Sequence, residues 1–245
     1  MKRFAILFGI ILALGSVAPL QAAGAPSSVP NAGILPANGT AYGRSYGAWS
    51  GAWWQYVLAQ PTASNPLLDS TGAGCGSGQS GPVFFLTGAF GSGAVTRDDC
   101  IVGRGKALFF PLLNGFDVHV PGDGLDTAQQ VWDDLHVTIG FGPFFELHAT
   151  IDGVPVKGLD PATTPYRTCA GPVSGCAASF SVTFPEDNLF GVPAGTYAPA
   201  VADGFYLLLA PLSPGPHTVT FGGSGTFGGS AFSQDITYLL VVSAS

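Results

Sequence analysis

Residues 203–221 read DGFYLLLAPLSPGPHTVTF. The apolar run from Phe205 to Leu209 has the length of a buried strand, and it ends at a proline- and glycine-rich segment that favours a turn. From His217 to Phe221 apolar and polar residues alternate, which is typical of a strand with one buried face. This stretch therefore predicts two short strands joined by a turn.

Short apolar or alternating runs that end at glycine or proline recur along the rest of the chain. Further strands are predicted at 82–88, 106–113, 116–120, 135–141, 144–151, 179–184 and 235–242. Asp152-Gly153 predicts a tight hairpin, because both residues tolerate the positive φ angles of a type I′ turn. The glycine-rich segment 222–231 is expected to be a flexible loop. Many short strands with little helix favour an all-β fold, an antiparallel β-sandwich that could be jelly-roll-like.

Residues 45–60 carry the long helical pattern, with tryptophan and tyrosine side chains on one face. Ser45 is the expected N-cap. Gly47 and Gly51 cost helix stability, which indicates that the helix backbone packs closely against a neighbour. The aromatic face is expected to be core, and Trp54, at the edge of that face, is the best candidate for partial exposure and so for a ligand contact. A second short helix is predicted at 127–134, with Asp126 as its cap.

The first 22 residues resemble a secretory signal peptide. Lys2 and Arg3 precede an apolar run that is too short to span a bilayer comfortably, and Ala22 suits a cleavage site. Residues 23–41 are expected to be a flexible leader, and 42–245 a single domain. The predicted location is therefore secreted or periplasmic, with no membrane span in the mature chain.

The composition limits the classes of partner. The formal net charge is -7, with 8 basic against 15 acidic residues. Nucleic acid is not an expected partner, because the chain lacks a basic footprint. The high apolar fraction is typical of a folded domain rather than a disordered chain.

Four cysteines in an exported chain predict two disulfides. Three connectivities are possible, and proximity in sequence favours Cys75–Cys100 and Cys169–Cys176. A zinc site is the alternative, but no C-x-x-C spacing occurs.

Four segments together resemble a group of exported bacterial all-β proteins with no established activity. They are YGRSYGAWSGAWWQY at 42–56, TGAGCGSGQSGPVFFLTG at 71–88, CIVGRGKALFFPLLN at 100–114 and DGFYLLLAPLSPGPHTVTF at 203–221. The resemblance implies an exported globular domain and a shared fold. It assigns no functional residues.

Gly43-Arg44-Ser45-Tyr46-Gly47 matches the G-x-S-x-G pattern of a serine nucleophile. Asp203 and His217 could complete a triad in chain order. The parallel sheet that presents such a serine is not predicted, so a helix cap with two close-packing glycines is the simpler interpretation. His217 also fits a hydrogen-bonded residue at a strand end.

Three histidines each follow a carboxylate by two positions, in the pairs Asp117/His119, Asp134/His136 and Glu146/His148. On strands each pair would share a face. Such pairs could hold a divalent metal or orient a general base, or they could be ordinary polar pairs at sheet edges. Scattered aspartates could contribute to a calcium site, although surface acids more often serve solubility.

Two functions remain open. The favoured hypothesis is an exported, non-enzymatic binding or structural protein, with a glycan or another cell-surface partner as the expected ligand. The alternative is a secreted hydrolase, either metal-assisted through the histidine/carboxylate pairs or serine-based through Ser45.

Overall fold

The computed structural model describes residue 31 and residues 33–244. The predicted signal peptide and most of the predicted leader lie outside the described residues. The chain divides into units 1–30 and 31–245, of which the second contains every element described below.

The described part of the chain holds twelve strands, two α-helices, a 3₁₀ turn (Thr62–Ser64) and a π-helix (Asp134–Thr138). The helices are α1 (Tyr46–Leu58) and α2 (Ala128–Asp133). The strands are β1 (Thr40–Ala41), β2 (Arg44–Ser45), β3 (Val83–Phe85), β4 (Gly93–Val102), β5 (Ala107–Val118), β6 (Phe144–Ile151), β7 (Val154–Pro155), β8 (Arg167–Ala170), β9 (Phe180–Phe184), β10 (Gly195–Leu209), β11 (Gly215–Phe227) and β12 (Ser230–Val242).

Two five-stranded sheets pack face to face, which confirms the predicted β-sandwich. The first sheet runs β3-β5-β10-β8, with β9 also paired to β10, and the second runs β4-β12-β11-β6-β7. Most pairs are antiparallel, but β3 with β5 and β4 with β12 are parallel. Between the sheets, the Phe110 and Phe221 ring centroids are 4.7 Å apart and those of Phe144 and Phe205 are 4.9 Å apart.

Helix α1 covers the other face of the first sheet. The Ser45 side chain accepts a hydrogen bond from the Ala48 N–H, which confirms the predicted N-cap. The Tyr46 hydroxyl donates to Leu35 O and accepts from Leu208 N, and the Trp53 indole donates to Leu86 O. These bonds give the Tyr46 hydroxyl and the Trp53 indole N–H hydrogen-bond partners, so both rings can be buried without leaving a polar group unsatisfied.

A side chain would collide with a neighbour at Gly47 of α1 and would be tightly packed at Gly51. A Cβ on Gly47 would be 2.3 Å from Cys169 O, and one on Gly51 would be 3.2 Å from the Phe180 ring. The predicted close packing of this helix is therefore confirmed, and its neighbours are β8 and β9.

Arg97 on β4 is buried, with 1% of its surface exposed. Its guanidinium donates to five neutral oxygen atoms, those of Asp69, Pro66, Thr87 and Gly88 carbonyls and the Tyr238 hydroxyl. A buried cation is tolerated only when its donors are satisfied. Arg97 therefore ties the segments around residues 66–69 and 87–88 to the second sheet.

The predicted strand at 135–141 is wrong, because helix α2 continues into the π-helix. Thr127, not Asp126, is the cap, and it forms a capping box with Gln130. Val131 and Leu135, four residues apart, are both fully buried, so the buried side chains follow a helical period.

The predicted flexible loop at 222–231 is also wrong. Strands β11 and β12 extend through it and meet at Gly228-Gly229, where both residues have positive φ. A Cβ on Gly222 would be 1.9 Å from Gln234 O, so this glycine allows close approach of two strands rather than flexibility.

Three smaller predictions have clear outcomes. Disulfides Cys75–Cys100 and Cys169–Cys176 are formed as predicted. Asp152 and Gly153 have φ of 50° and 78°, which confirms the hairpin between β6 and β7. Part of the predicted leader belongs to the domain, since Leu35 N donates to Leu208 O.

We expect Gly47→Ala to lower the free energy of unfolding by about 1–3 kcal/mol, because the added methyl must displace the Cys169 carbonyl or the helix. Urea denaturation with both disulfides intact measures the change. Gly76→Ala is the matched control, since a Cβ there meets nothing within 4 Å. Equal stability of the two variants would contradict the close-packing account.

Candidate functional site

A cavity of about 790 Å³ lies at one end of the sandwich. Its walls come from the second half of β5, the start of β6, the tip of the β11–β12 hairpin, the C-terminal half of α1 and two loops at 88–92 and 184–192. Typical small-molecule sites have volumes of about 300–1,000 Å³, so this cavity has the size of a ligand site.

Aromatic side chains dominate the walls. Ten of them line the cavity: Trp53, Trp54, Phe90, Phe116, Phe141, Phe144, Phe184, Phe190, Phe227 and Phe232. Three phenylalanines of this set are markedly exposed, Phe90 at 56%, Phe190 at 45% and Phe227 at 41%. We call these three the rim phenylalanines, because they line the cavity and also contact solvent.

Strand β5 turns an edge toward the cavity. Its consecutive residues from Leu113 to Val118 all line the wall, although alternate side chains of a strand point to opposite faces. Strand β3 pairs only with Ala107–Phe109, so within the described residues this edge of β5 has no strand beside it beyond Phe109. The cavity therefore occupies the place of a further strand.

Asp117 is the one residue with a charged side chain among the described residues that line the cavity. Its Oδ1 accepts a hydrogen bond from Val118 N at 2.8 Å, whereas Oδ2 is buried without a partner. Burial, reinforced by the nearby Asp134 and Asp123 carboxylates and opposed by the Val118 N–H, raises the pKa of Asp117 to about 6. The Asp134 carboxyl also lies within hydrogen-bond reach of Asp117, so a proton shared between the two acids favours the neutral form of Asp117.

Trp54, the predicted ligand contact, lines the cavity, but the prediction that it is partly exposed is wrong, because it is only 7% exposed. Its ring centroid lies 4.3 Å from that of Phe116, with the two ring planes tilted by 34°. The indole N–H is buried without a hydrogen-bond partner, although the Tyr206 hydroxyl lies close by. Trp54 thus adds an apolar surface to the cavity wall. Its fluorescence can also report on changes inside the cavity.

Asp203, a candidate catalytic residue, is 3% exposed and sits in a different arrangement from the predicted triad. Its carboxylate accepts from Arg167 at 2.7 and 3.2 Å, and His136 Nε2 lies 3.0 Å from Oδ2. Burial acts to raise the pKa of Asp203, but the hydrogen bonds from His136 and Arg167 outweigh it and lower the pKa.

Both ring nitrogens of His136 face acceptors. Nδ1 lies 2.8 Å from Trp132 O and Nε2 faces Asp203, so the imidazolium satisfies both contacts. The hydrogen bond to Asp203 accordingly raises the pKa of His136. Arg167, His136 and Asp203 form an ion cluster that fixes the π-helix to β10 and β8.

The structure does not bring Ser45, Asp203 and His217 together by hydrogen bonds. Ser45 caps α1, and Asp203 belongs to the ion cluster. His217 Nδ1 lies 2.7 Å from Asp152 Oδ2, and its Nε2 lies 2.8 Å from Ser213 O. His217 therefore has the strand-end role that the sequence favoured.

The histidine/carboxylate pairs also separate. His119 pairs with Asp123, His136 with Asp203 and His148 with Asp235. Asp134 and His136 lie on the π-helix, and Glu146 is exposed on β6, so no predicted pair forms. Among the described residues, no group of three His, Cys, Asp or Glu side chains is arranged to hold a metal ion.

The chain matches no known protein family, curated protein or solved structure. The resemblance drawn from four sequence segments therefore stays a prediction.

Sequence reasoning missed the cavity itself, apart from Trp54. Its rim comes from two loops and the end of a hairpin that are remote in sequence, and a single phenylalanine in such a segment carries no pattern. The available signal was the unusual density of aromatic residues, which does not say where they meet.

We expect Asp203→Asn to lower the free energy of unfolding by about 1–3 kcal/mol, because Arg167 and His136 lose a charged partner. Urea denaturation near neutral pH measures this change. Asp126→Asn, at an exposed position, is the control and should have little effect. A comparable loss in both variants would contradict a special role for Asp203.

The same cluster predicts a pH dependence. Because the pKa of His136 is raised on folding, its stabilising contribution is full below the ordinary imidazole value of about 6.5 and is lost as the pH rises through the folded-state value. The difference in unfolding free energy between wild type and His136→Gln should therefore be larger at about pH 6 than at about pH 9. A difference that is constant across this range would refute the contribution.

Proposed function

We propose that this protein is an exported binding protein that holds a small apolar ligand in the cavity at the end of the sandwich. The observation that carries the proposal is the cavity wall, in which ten aromatic side chains surround about 790 Å³ and three of them reach solvent. Apolar walls with few polar groups are characteristic of small-molecule sites.

Export is supported by two formed disulfides, which are typical of oxidising compartments. In the described part of the chain, no helix has the length and hydrophobicity needed to cross a membrane. The signal-like first 22 residues are the further sequence support.

An apolar ligand fits this wall better than the glycan favoured by the sequence. A sugar presents many hydroxyl groups, and each loses hydrogen bonds to water unless the site replaces them. Several polar lining groups are already engaged, since Gln234 donates to the Ala89 and Gly91 carbonyls and Thr226 to Gly142 O. The glycan hypothesis remains a prediction to be compared in the same assay.

The expected affinity is moderate. Each buried methylene contributes about 0.8 kcal/mol, and association costs offset a large part of the total. Ten buried methylenes contribute about 8 kcal/mol, which alone corresponds to a dissociation constant of about 1 μM, so after the association costs we expect a value between about 10 μM and 1 mM.

The test is titration with 1-decanol, followed by calorimetry and by the emission of Trp53 and Trp54, which both line the cavity. We expect saturable binding and a change in tryptophan emission. Ala231→Phe should weaken binding about tenfold or more, because Ala231 is an exposed lining residue and the larger ring occupies ligand space.

Leu239→Phe is the matched control, since Leu239 is exposed on the same strand but does not line this cavity. Neither substitution adds a tryptophan, so decanol binding to both variants can be followed by the same tryptophan emission as in the wild type. Absence of decanol binding, or equal affinity in wild type and Ala231→Phe, would overturn the proposal.

A further inference from the structure

We propose that the ligand of this cavity is a short apolar peptide in an extended conformation, whose backbone pairs with the free edge of β5. This inference rests on the proposed function and names the chemical class of its ligand.

The pairing with β10 shows which backbone groups of β5 face the cavity. The two strands are aligned without a shift from Leu113 to Val118, and one position further His119 N donates to Pro199 O at 3.0 Å. Along an antiparallel ladder, hydrogen-bonded pairs alternate with non-hydrogen-bonded pairs. Because His119 bonds to β10, every second residue before it does so too, and the residues between them direct their backbone groups to the opposite side.

The residues whose N–H and C=O groups face away from β10 are therefore Asn114, Phe116 and Val118. The Val118 N–H is already bonded to Asp117 Oδ1 at 2.8 Å. In the described part of the chain, no backbone group bonds to Asn114 or Phe116 across this edge. All of these residues line the cavity, so two N–H and two C=O groups are directed at the space where a ligand would lie.

Arg97 keeps the chain after β3 from covering this edge. Leu86 N donates to Phe109 O, which is the last backbone hydrogen bond between the two segments among the described residues. The next two carbonyls, those of Thr87 and Gly88, accept from the Arg97 guanidinium and so lie away from β5. Buried contacts therefore hold the edge open.

Aromatic rings flank the edge on both faces. On one face the ring centroids of Phe116 and Trp54 are 4.3 Å apart. Gly115 points the opposite way along the strand, and a Cβ there would be 2.9 Å from the Phe141 ring. A strand added at this edge meets apolar walls on both of its faces, and strands buried on both faces are runs of consecutive apolar residues.

The length and charge of the edge define the probe. Asn114 to Val118 spans about 14 Å at about 3.4 Å per residue, which matches a peptide of about five residues. No lysine, arginine or histidine is among the described residues that line the cavity, so nothing there pairs with a free carboxylate terminus. A neutral peptide with both ends blocked is therefore the expected ligand.

Two peptides with the same side chains separate strand pairing from the filling of an apolar space. They are acetyl-Ala-Val-Leu-Val-Ala-amide and the same peptide N-methylated at every residue, which has more apolar surface but cannot donate these N–H groups to β5. We expect the unmethylated peptide to bind about tenfold or more tightly in titration calorimetry, because it alone forms the added hydrogen bonds. Equal or tighter binding of the methylated peptide would overturn the assignment.

Amide hydrogen exchange locates the pairing on the protein. With saturating unmethylated peptide, the Asn114 and Phe116 amides should exchange about tenfold or more slowly in NMR spectra of the labelled protein, because they gain an acceptor. The Gly115 and Asp117 amides, already bonded to β10, are internal controls and should change less. Saturating 1-decanol, which has no carbonyl groups, should not produce this alternation. An equal change at all four amides with the peptide would contradict strand pairing.

Phe116→Pro and Phe116→Ala form a matched pair of variants. Both lose the ring, but proline also lacks the N–H that faces the cavity, while the bonds to β10 come from the neighbouring residues. The peptide should bind about tenfold less tightly to Phe116→Pro than to Phe116→Ala, whereas 1-decanol should bind both alike. Circular dichroism checks that both variants are folded, and the two wild-type experiments decide the question if the proline variant is not.

The outcomes distinguish the two proposals. If 1-decanol binds but the peptide does not, or if the peptide binds without the alternating protection, the peptide assignment is wrong while the apolar site stands. If neither 1-decanol nor the peptide binds, the proposed function fails and the peptide assignment fails with it.

Discussion

The hydrogen bonds of the buried Arg97 guanidinium hold in place the segments at 66–69 and 87–88, and the arrangement of the chain beside the cavity depends on them. A cation with almost no exposure is held by five neutral oxygen atoms, four of them backbone carbonyls from segments outside any strand. Burial of an unsatisfied charge is prohibitive, so these segments must stay in place for the domain to fold. One of them leads directly into the loop at 88–92 that forms part of the cavity wall.

The cavity results from a sheet that ends early. Strand β3 stops after Phe85, while its neighbour β5 continues to Val118. A bare sheet edge invites pairing with other chains, and proteins usually protect it. Here phenylalanines from the loops at 88–92 and 184–192, and from the β11–β12 hairpin, surround the edge without pairing with it. The result is an apolar space with one ionisable group, Asp117, on the edge strand.

Local patterns in the sequence were sufficient for much of the fold. The Ser45 cap, the aromatic face of α1, the Asp152-Gly153 hairpin and both disulfides follow from short-range spacing. The failures arose where tertiary contacts decide the structure. The alternation at 135–141 resembled a strand, but the capping box at Thr127 and the burial of Leu135 against β10 made it helical. Glycines at 222–231 suggested mobility because the sequence cannot show that a neighbouring carbonyl excludes any side chain. Predicting the cavity would require knowing where two loops and a hairpin end, all distant in sequence, meet.

Phe90 and Phe190 lie in connections between strands and Phe227 is the last residue of β11, and none of these three rim phenylalanines belongs to the buried core. Changes in these connections alter the opening of the site without removing a buried contact between the sheets. The rim of the cavity and the buried core between the sheets are thus formed by different side chains. The opening of the cavity can therefore vary in sequence while the fold, held by the two sheets and by Arg97, is kept.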